Sequence, residues 1–270
     1  MRASATSYGE TVWSELFPGS THSAPCLLPA VAAVESAFDL APSSDSCQEA
    51  FDLAAARRRR TLWRLDGGFG TDLNLLWLLT RDYQVLAKGF AGRRAENLSR
   101  QVQRWTPYGD VWLGQVPPPI DYGRQVQVWV KRRLDGQRFK HSYYLTTLKV
   151  HSITQAMNLY NQRGAAQVEQ FRIDKQGLHL SSRRKQGFGA QKALILLTDL
   201  AHNLLADFHH TALIATPFEG FSAKRIVRDL LAIEGNLVWE ARELKRIELH
   251  QAHPNAQACL DCLVKYCQTG

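Results

Sequence analysis

Long apolar runs are missing from this sequence of 270 residues. A helix that crosses a bilayer needs about 18 or more consecutive apolar residues. The nearest approach, 193–208, is broken by Asp199, His202, Asn203 and Asp207, and it reads as a buried helix instead. Residues 1–25 also lack the basic start and apolar stretch of a secretory leader. Cysteine is sparse. Five are present and three fall in the last twelve residues, which does not suit a disulfide scaffold. Acidic charge is the minority sign, with 25 Asp+Glu against 33 Lys+Arg and a formal net charge of +8. That balance favours a polyanionic partner, nucleic acid or an anionic surface, although a solvated basic face fits it equally.

What is present is core-forming material. Hydrophobic residues make up 45% of the chain and aromatics 10%, which excludes a disordered polymer. Val12, Trp13 and Leu16 alternate before Pro18-Gly19, a strand and turn. Residues 27–40 have helical spacing, and a Pro-Ser-Ser-Asp-Ser linker follows from Pro42. Four arginines, Arg57–Arg60, precede the apolar run 61–65, which reads as a buried strand ending at Asp66-Gly67-Gly68. A helix over 72–79, a strand over 83–87 and a basic helix over 93–105 come next. This β-α-β-α order predicts an α/β sheet covered by helices. Residues 105–148 read as a β-rich insert with strands at 111–113, 126–130 and 143–148. Helical spacing returns from Ile153 past Glu169 and over 191–208 and 223–233, and 237–249 alternates as one last strand. In the tail, His250, His253, Cys259, Cys262 and Cys267 invite a zinc reading, but their spacing fits no standard finger. Leu260, Leu263, Val264 and Tyr266 after Pro254 suit an amphipathic closing helix with buried thiols.

Asp66 is the first candidate for chemistry, because open α/β sheets place reactive groups at the carboxyl ends of strands. Gly67 and Gly68 let the backbone turn sharply there. Capping or turn formation is the alternative role. The string DGGFG lacks both the Lys-Ser/Thr of a P-loop and GxGxxG spacing, so nucleotide binding is rejected. The second candidate is YNQRGAAQVEQFRIDKQG. Tyr160 and Arg163 share a helical face, and Glu169 is flanked by Arg172 and Lys175. Widely separated carboxylates suit paired Mg²⁺ ions in phosphodiester cleavage, since Mg²⁺ prefers carboxylate and water oxygen. A solvated helix face fits the second segment as well. His202 reads as a satisfied core histidine and the tryptophans mostly as core.

The segments RLDGGFGTDLNLLWLLTRDYQVLAKGFAGRRAENL, YNQRGAAQVEQFRIDKQGLHLSSRRK, AQKALILLTDLAHNLL and YGETVWSELFPGST occur in an order that resembles bacterial insertion-sequence DDE transposases. The resemblance runs from about Ser7 to Leu263. It implies an α/β, RNase H-like core, a mixed sheet flanked by helices, with an inserted β-rich subdomain. The divisions expected are 7–104 and 151–250 for the two parts of the core, 105–150 for the insertion and 251–270 for a helical tail. Asp66 matches the second triad Asp and Glu169 the triad Glu, both as metal ligands for Mg²⁺ or Mn²⁺. Tyr160, Arg163 and Lys175 match the Tyr-Arg-Glu-Lys signature that holds DNA-end phosphates. The usual spacing falls on Gln167, so Glu169 requires two extra residues before the acid. Arg172 and the cluster Arg183, Arg184 and Lys185 are further expected phosphate contacts. Arg57–Arg60 and Lys131–Arg133 are either such contacts or solvated faces.

The family reaction is cleavage at transposon ends followed by attack of the 3′-hydroxyl on target DNA. DNA is therefore the expected partner, with a homodimer in a synaptic complex, no membrane, and a bacterial cytoplasmic location. The first triad Asp belongs on a strand before the one matching YGETVW, where this chain has only MRASATS. Asp39, Asp45 and Glu10 are poor substitutes. The expectation is thus an N-terminally truncated enzyme lacking that acid, with a catalytically dead remnant that binds DNA or intact transposase as the alternative.

Overall fold

Two short strands, β1 (Arg2–Ala5) and β2 (Glu10–Ser14), open the chain and pair with each other. There follow α1 (Leu27–Ala37), α2 (Leu53–Arg60), β3 (Leu62–Leu65), α3 (Asp72–Thr80), β4 (Gln84–Lys88) and α4 (Gly92–Ser99). Next come β5 (Thr106–Tyr108), β6 (Val111–Val116), β7 (Gln127–Asp135) and β8 (Arg138–Thr146), then a helix over 153–162, here α5. The remaining elements are α6 (Phe188–Phe208), α7 (Ala223–Arg225) continued by the π-helical Ile226–Leu231, β9 (Gly235–Glu240), β10 (Glu243–Leu249) and α8 (Ala256–Thr269). The computed structural model describes residues 1–6, 8–42, 53–162, 175, 177–178 and 186–269. The linker read from Pro42 lies almost wholly outside them. Two units result, Met1–Ala3 with Phe17–Ala165 and Ser4–Leu16 with Ala166–Gly270.

The first unit is a mixed α/β layer built on a six-stranded sheet of order β3-β4-β8-β7-β6-β5. β3 and β4 are parallel, joined through α3, and the other neighbours are antiparallel. β4 is buried at Val85, Leu86 and Ala87, so both of its faces are covered, as its unbroken apolar run requires. α3 starts where Thr71 accepts the Asn74 N–H at 3.3 Å, and it buries Leu75, Leu78 and Leu79. On one face Leu86, Leu113, Trp129, Tyr144, Ala156, Met157 and Tyr160 pack as a core cluster.

Three expectations change. The strands of 105–150 continue the β3–β4 sheet, with β8 pairing directly onto β4. The basic helix stops at Ser99 instead of running to Trp105, because Val102 is drawn against the sheet at Gly114, where a Cβ would lie 2.1 Å from its Cγ1. The last strand is a hairpin: Ala241 and Arg242 both adopt positive φ, 47° and 67°, and form a two-residue turn between β9 and β10.

In the second unit α6 holds β2 through the same residues that interrupt its apolar run. Asn203 accepts the Thr11 N–H and donates to the Thr11 carbonyl, each at 2.8 Å. Ser14 donates to Asp199, and His202 Nε2 donates to the Gly9 carbonyl at 2.8 Å. Cys259 and Cys262 of α8 are buried with Leu205, Phe208, Leu213, Phe218 and Leu230, as a closing helix with buried thiols requires.

Candidate functional site

Asp66 follows the last residue of β3 and is exposed at the carboxyl end of the parallel β3–β4 pair. Its Oδ1 accepts the Gly67 N–H at 2.7 Å. The chain then folds back in two overlapping turns, Phe69 N–H to the Asp66 carbonyl at 2.9 Å and Gly70 N–H to the Gly67 carbonyl at 3.3 Å. Gly70 is dictated by close approach, since a Cβ there would sit 1.9 Å from the Lys88 carbonyl oxygen. Phe90 N–H closes the crossing by donating to the Gly70 carbonyl at 3.0 Å. Ser23 ties down the outer side through its hydroxyl, 3.0 Å from the Gly68 carbonyl. The sequence DGGFG is thus a backbone brace that presents a carboxylate.

Tyr160 reaches this carboxylate from α5. Its hydroxyl is 3.5 Å from Asp66 Oδ1, although 94 residues separate the two. The ring is 6% exposed and packs edge-on against Tyr144 at 4.8 Å, and Tyr144 stacks on Trp129 at 5.5 Å with 13° between the planes. Arg64, two residues before Asp66, donates to the Leu159 carbonyl at 3.3 Å and fixes α5 against β3. A phenol held this way keeps little rotamer freedom, so its hydroxyl is aimed before anything binds.

The structure brings Asp66 and Tyr160 together. Lys175 is helical and exposed in the second unit. Arg163, Glu169, Arg172, Arg183, Arg184 and Lys185 lie outside the described residues. Among the described residues no group of three or more His, Cys, Asp or Glu gathers in a metal-holding cluster. No protein-family model matches this chain, and neither does any curated protein.

Several polar residues of this unit were not foreseen from the sequence. Lys88 ends β4 one strand away from Asp66; the parallel β-α-β pattern was its signal, because parallel strands finish at one edge. Asp72 accepts from Arg94 at 2.7 Å and from the Tyr122 hydroxyl at 3.4 Å, and Tyr143 lies 3.4 Å from the same Arg94 nitrogen. Burial, with the Asp72 charge adding to it, raises the Tyr122 pKa, and burial does the same for Tyr143. These groups lock α3, α4 and β8 together. The arginine runs also resolve. Arg58 is buried and donates to the Leu40 and Arg81 carbonyls at 2.7 and 2.9 Å, while Arg59 pairs with Asp82 on the surface at 3.3 Å.

Proposed function

We propose that this chain is the catalytic region of an insertion-sequence DDE transposase with an RNase H-like core. In this reading Asp66 is one acid of a divalent-metal site for DNA strand cleavage and strand transfer. The observation that carries the reading is the approach of Tyr160 to Asp66 at the carboxyl edge of a parallel strand pair. An exposed carboxylate braced by backbone fits Mg²⁺ or Mn²⁺, both of which favour hard oxygen donors. Among the described residues Asp66 is the one acid this reading assigns to metal binding; Glu169, the other acid that the resemblance implies, lies outside them. Such an ion would supply polarisation of the scissile phosphate and a lowered pKa for an attacking water or 3′-hydroxyl. Asp66, at the carboxyl edge of the sheet, would be one ligand of that ion. The Tyr160 hydroxyl, which donates to Asp66 here, would turn its one proton to a phosphate oxygen, from a ring that Tyr144 keeps still. DNA ends are the substrate, and pairing two ends calls for two copies of the chain.

The deciding experiment pairs Mn²⁺ binding by electron paramagnetic resonance with cleavage of DNA from the element's termini. Asp66→Asn is expected to weaken Mn²⁺ binding by at least the roughly tenfold that loss of even an outer partner costs a metal site. Cleavage should fall with it. Mn²⁺ binding unchanged by Asp66→Asn ends the reading. DNA binding with no cleavage by the wild-type chain selects the second reading, a catalytically dead remnant.

A further inference from the structure

Lys131, Arg132 and Arg133 form one basic run in the sequence, and the sheet splits it. Arg132 alternates with its neighbours along β7, so it projects from the opposite face. On that face it is level with Trp112 of β6 and His141 of β8. Three aromatic rings surround its guanidinium carbon, with centroids at 4.1 Å for Trp105, 4.9 Å for Phe139 and 5.2 Å for Trp112. Trp112 and Phe139 stand edge to face, at 87°, so the rings wall the cation from different directions. α4 lies on this face two residues along β8, where Arg94 reaches Tyr143. Beyond it Arg132, Trp105 and Trp112 are half-buried and Phe139 is 46% exposed, so the cage opens to solvent.

Arg132 differs from the other packed arginines in its lack of an acceptor. Arg58, Arg81 and Arg94 all donate to carbonyls or carboxylates. Arg132 Nε is buried without a hydrogen-bond partner, and among the described residues the guanidinium has no counter-ion. Aromatic faces attract a cation but accept its N–H groups only weakly. A buried donor left in that state costs free energy, which an arriving acceptor removes. Glu96, exposed on α4, is close enough to raise the His141 pKa but makes no ion pair with Arg132. Burial still holds the His141 pKa below its ordinary value, and Arg132 acts in the same sense. The fixed positive charge of the cage is therefore Arg132.

We propose that this aromatic cage is a binding site for a carboxylate, lying flat in the guanidinium plane and accepting from Nε–H and a terminal N–H. With rings on several sides, the donors of Arg132 point only within that plane. A carboxylate matches it with two coplanar oxygens. A phosphate monoester sets oxygens above and below the plane, toward ring faces that are themselves negative. It also brings a charge of about −1.5 to −2 at pH 7, more than one guanidinium balances. Phe139, the most exposed wall, is the one free to shift as the ligand enters. The site is independent of the reading of Asp66 as a metal ligand.

The test titrates the full chain with benzoate and follows tryptophan fluorescence together with the His141 ring resonance. Benzoate should saturate with a dissociation constant on the order of 1 mM, which a ligand of its size reaches at modest efficiency. The bound carboxylate offsets the field of Arg132, so the His141 pKa should rise in saturating benzoate. Arg132→Lys keeps the charge but loses the planar fork, and should bind at least about tenfold more weakly. Phenyl phosphate should bind more weakly than benzoate, and benzamide, its uncharged counterpart, should not compete. A peptide capped at both ends around one central glutamate separates two sources of the carboxylate. Binding tighter than benzoate assigns the site to an acidic side chain of a partner, and weaker binding to a free organic acid. If circular dichroism shows Arg132→Lys unfolded, Trp105→Leu removes one wall, leaves the cation, and should weaken benzoate by about threefold. No saturation at about ten times the expected concentration overturns the proposal. So do wild-type affinity in the variant used, competition by benzamide, or phenyl phosphate binding tighter than benzoate.

Discussion

Glu35 is 4% exposed on α1, where it receives two hydrogen bonds from the Arg81 guanidinium and a third from the Tyr83 hydroxyl at 2.9 Å. Desolvation and the hydrogen bond to Glu35 both raise the Tyr83 pKa, so the phenol stays protonated and keeps donating. A buried carboxylate is tolerable only when paired and hydrogen-bonded in this manner. Glu35→Gln keeps the volume but leaves Arg81 without a counter-charge. The expected loss is about 2–3 kcal/mol, just below the range of about 3–5 kcal/mol for a fully buried broken pair, because Arg81 retains some water. Urea unfolding of the variant checks this, and a change within about 0.5 kcal/mol would show the pair to be a surface feature. Sequence alone revealed little of this, since Glu35 is one acid in an otherwise apolar helix and its partners lie 46 and 48 residues away. Asp66 was legible because a strand end followed by two glycines is a local pattern. Its distance from Tyr160 was not, because that contact depends on how α5 docks.

Elements meet at Gly89, where β4 ends beside β8. A Cβ on Gly89 would fall 1.9 Å from Tyr143 Cζ, inside the ring that α4 and Arg94 hold in place. Gly89→Ala must push the ring or the strand aside, at an expected cost of about 1–3 kcal/mol. Combining Gly89→Ala with Tyr143→Ala should cost clearly less than the sum of the two single changes, because the clash disappears with the ring. Additive losses in that cycle would show that the glycine serves some other purpose. At this scale most strands and helices of the first unit were readable from apolar periodicity, but the arginine-rich helix α2 and the short strand β5, which have little apolar pattern, were not. The joining of β8 to β4 was not, because registry between strands far apart in sequence leaves no local mark. The β9–β10 turn was hidden for a different reason: Ala241 and Arg242 adopt left-handed conformations that residues of their kind seldom take, so no Gly or Asn announced the break.

Across the whole molecule, burial shifts its acidic protons in one direction. Tyr83, Tyr122 and Tyr143 in the first unit and Cys259 and Cys262 in the second all have raised pKa values, with desolvation the leading cause in each. Cys259 is pushed up from about 9 to about 11. Its Sγ lies 3.9 Å from the Leu230 carbonyl, and the Cys262 thiol beside it adds to the rise. A thiol whose folded pKa exceeds its unfolded value keeps its full stabilising contribution below the unfolded value. Between about pH 9 and 11 the unfolded chain holds fewer protons than the folded one, so stability falls as pH rises through that window. The tyrosines extend the loss to still higher pH. Unfolding free energy should therefore drop between pH 8 and 10.5. In Cys259→Ala, which starts lower because a small cavity replaces the thiol, the drop should be smaller by about 1–2 kcal/mol. A drop of the same size in both proteins would mean that Cys259 ionises as freely folded as unfolded, and that α8 does not shield it from water.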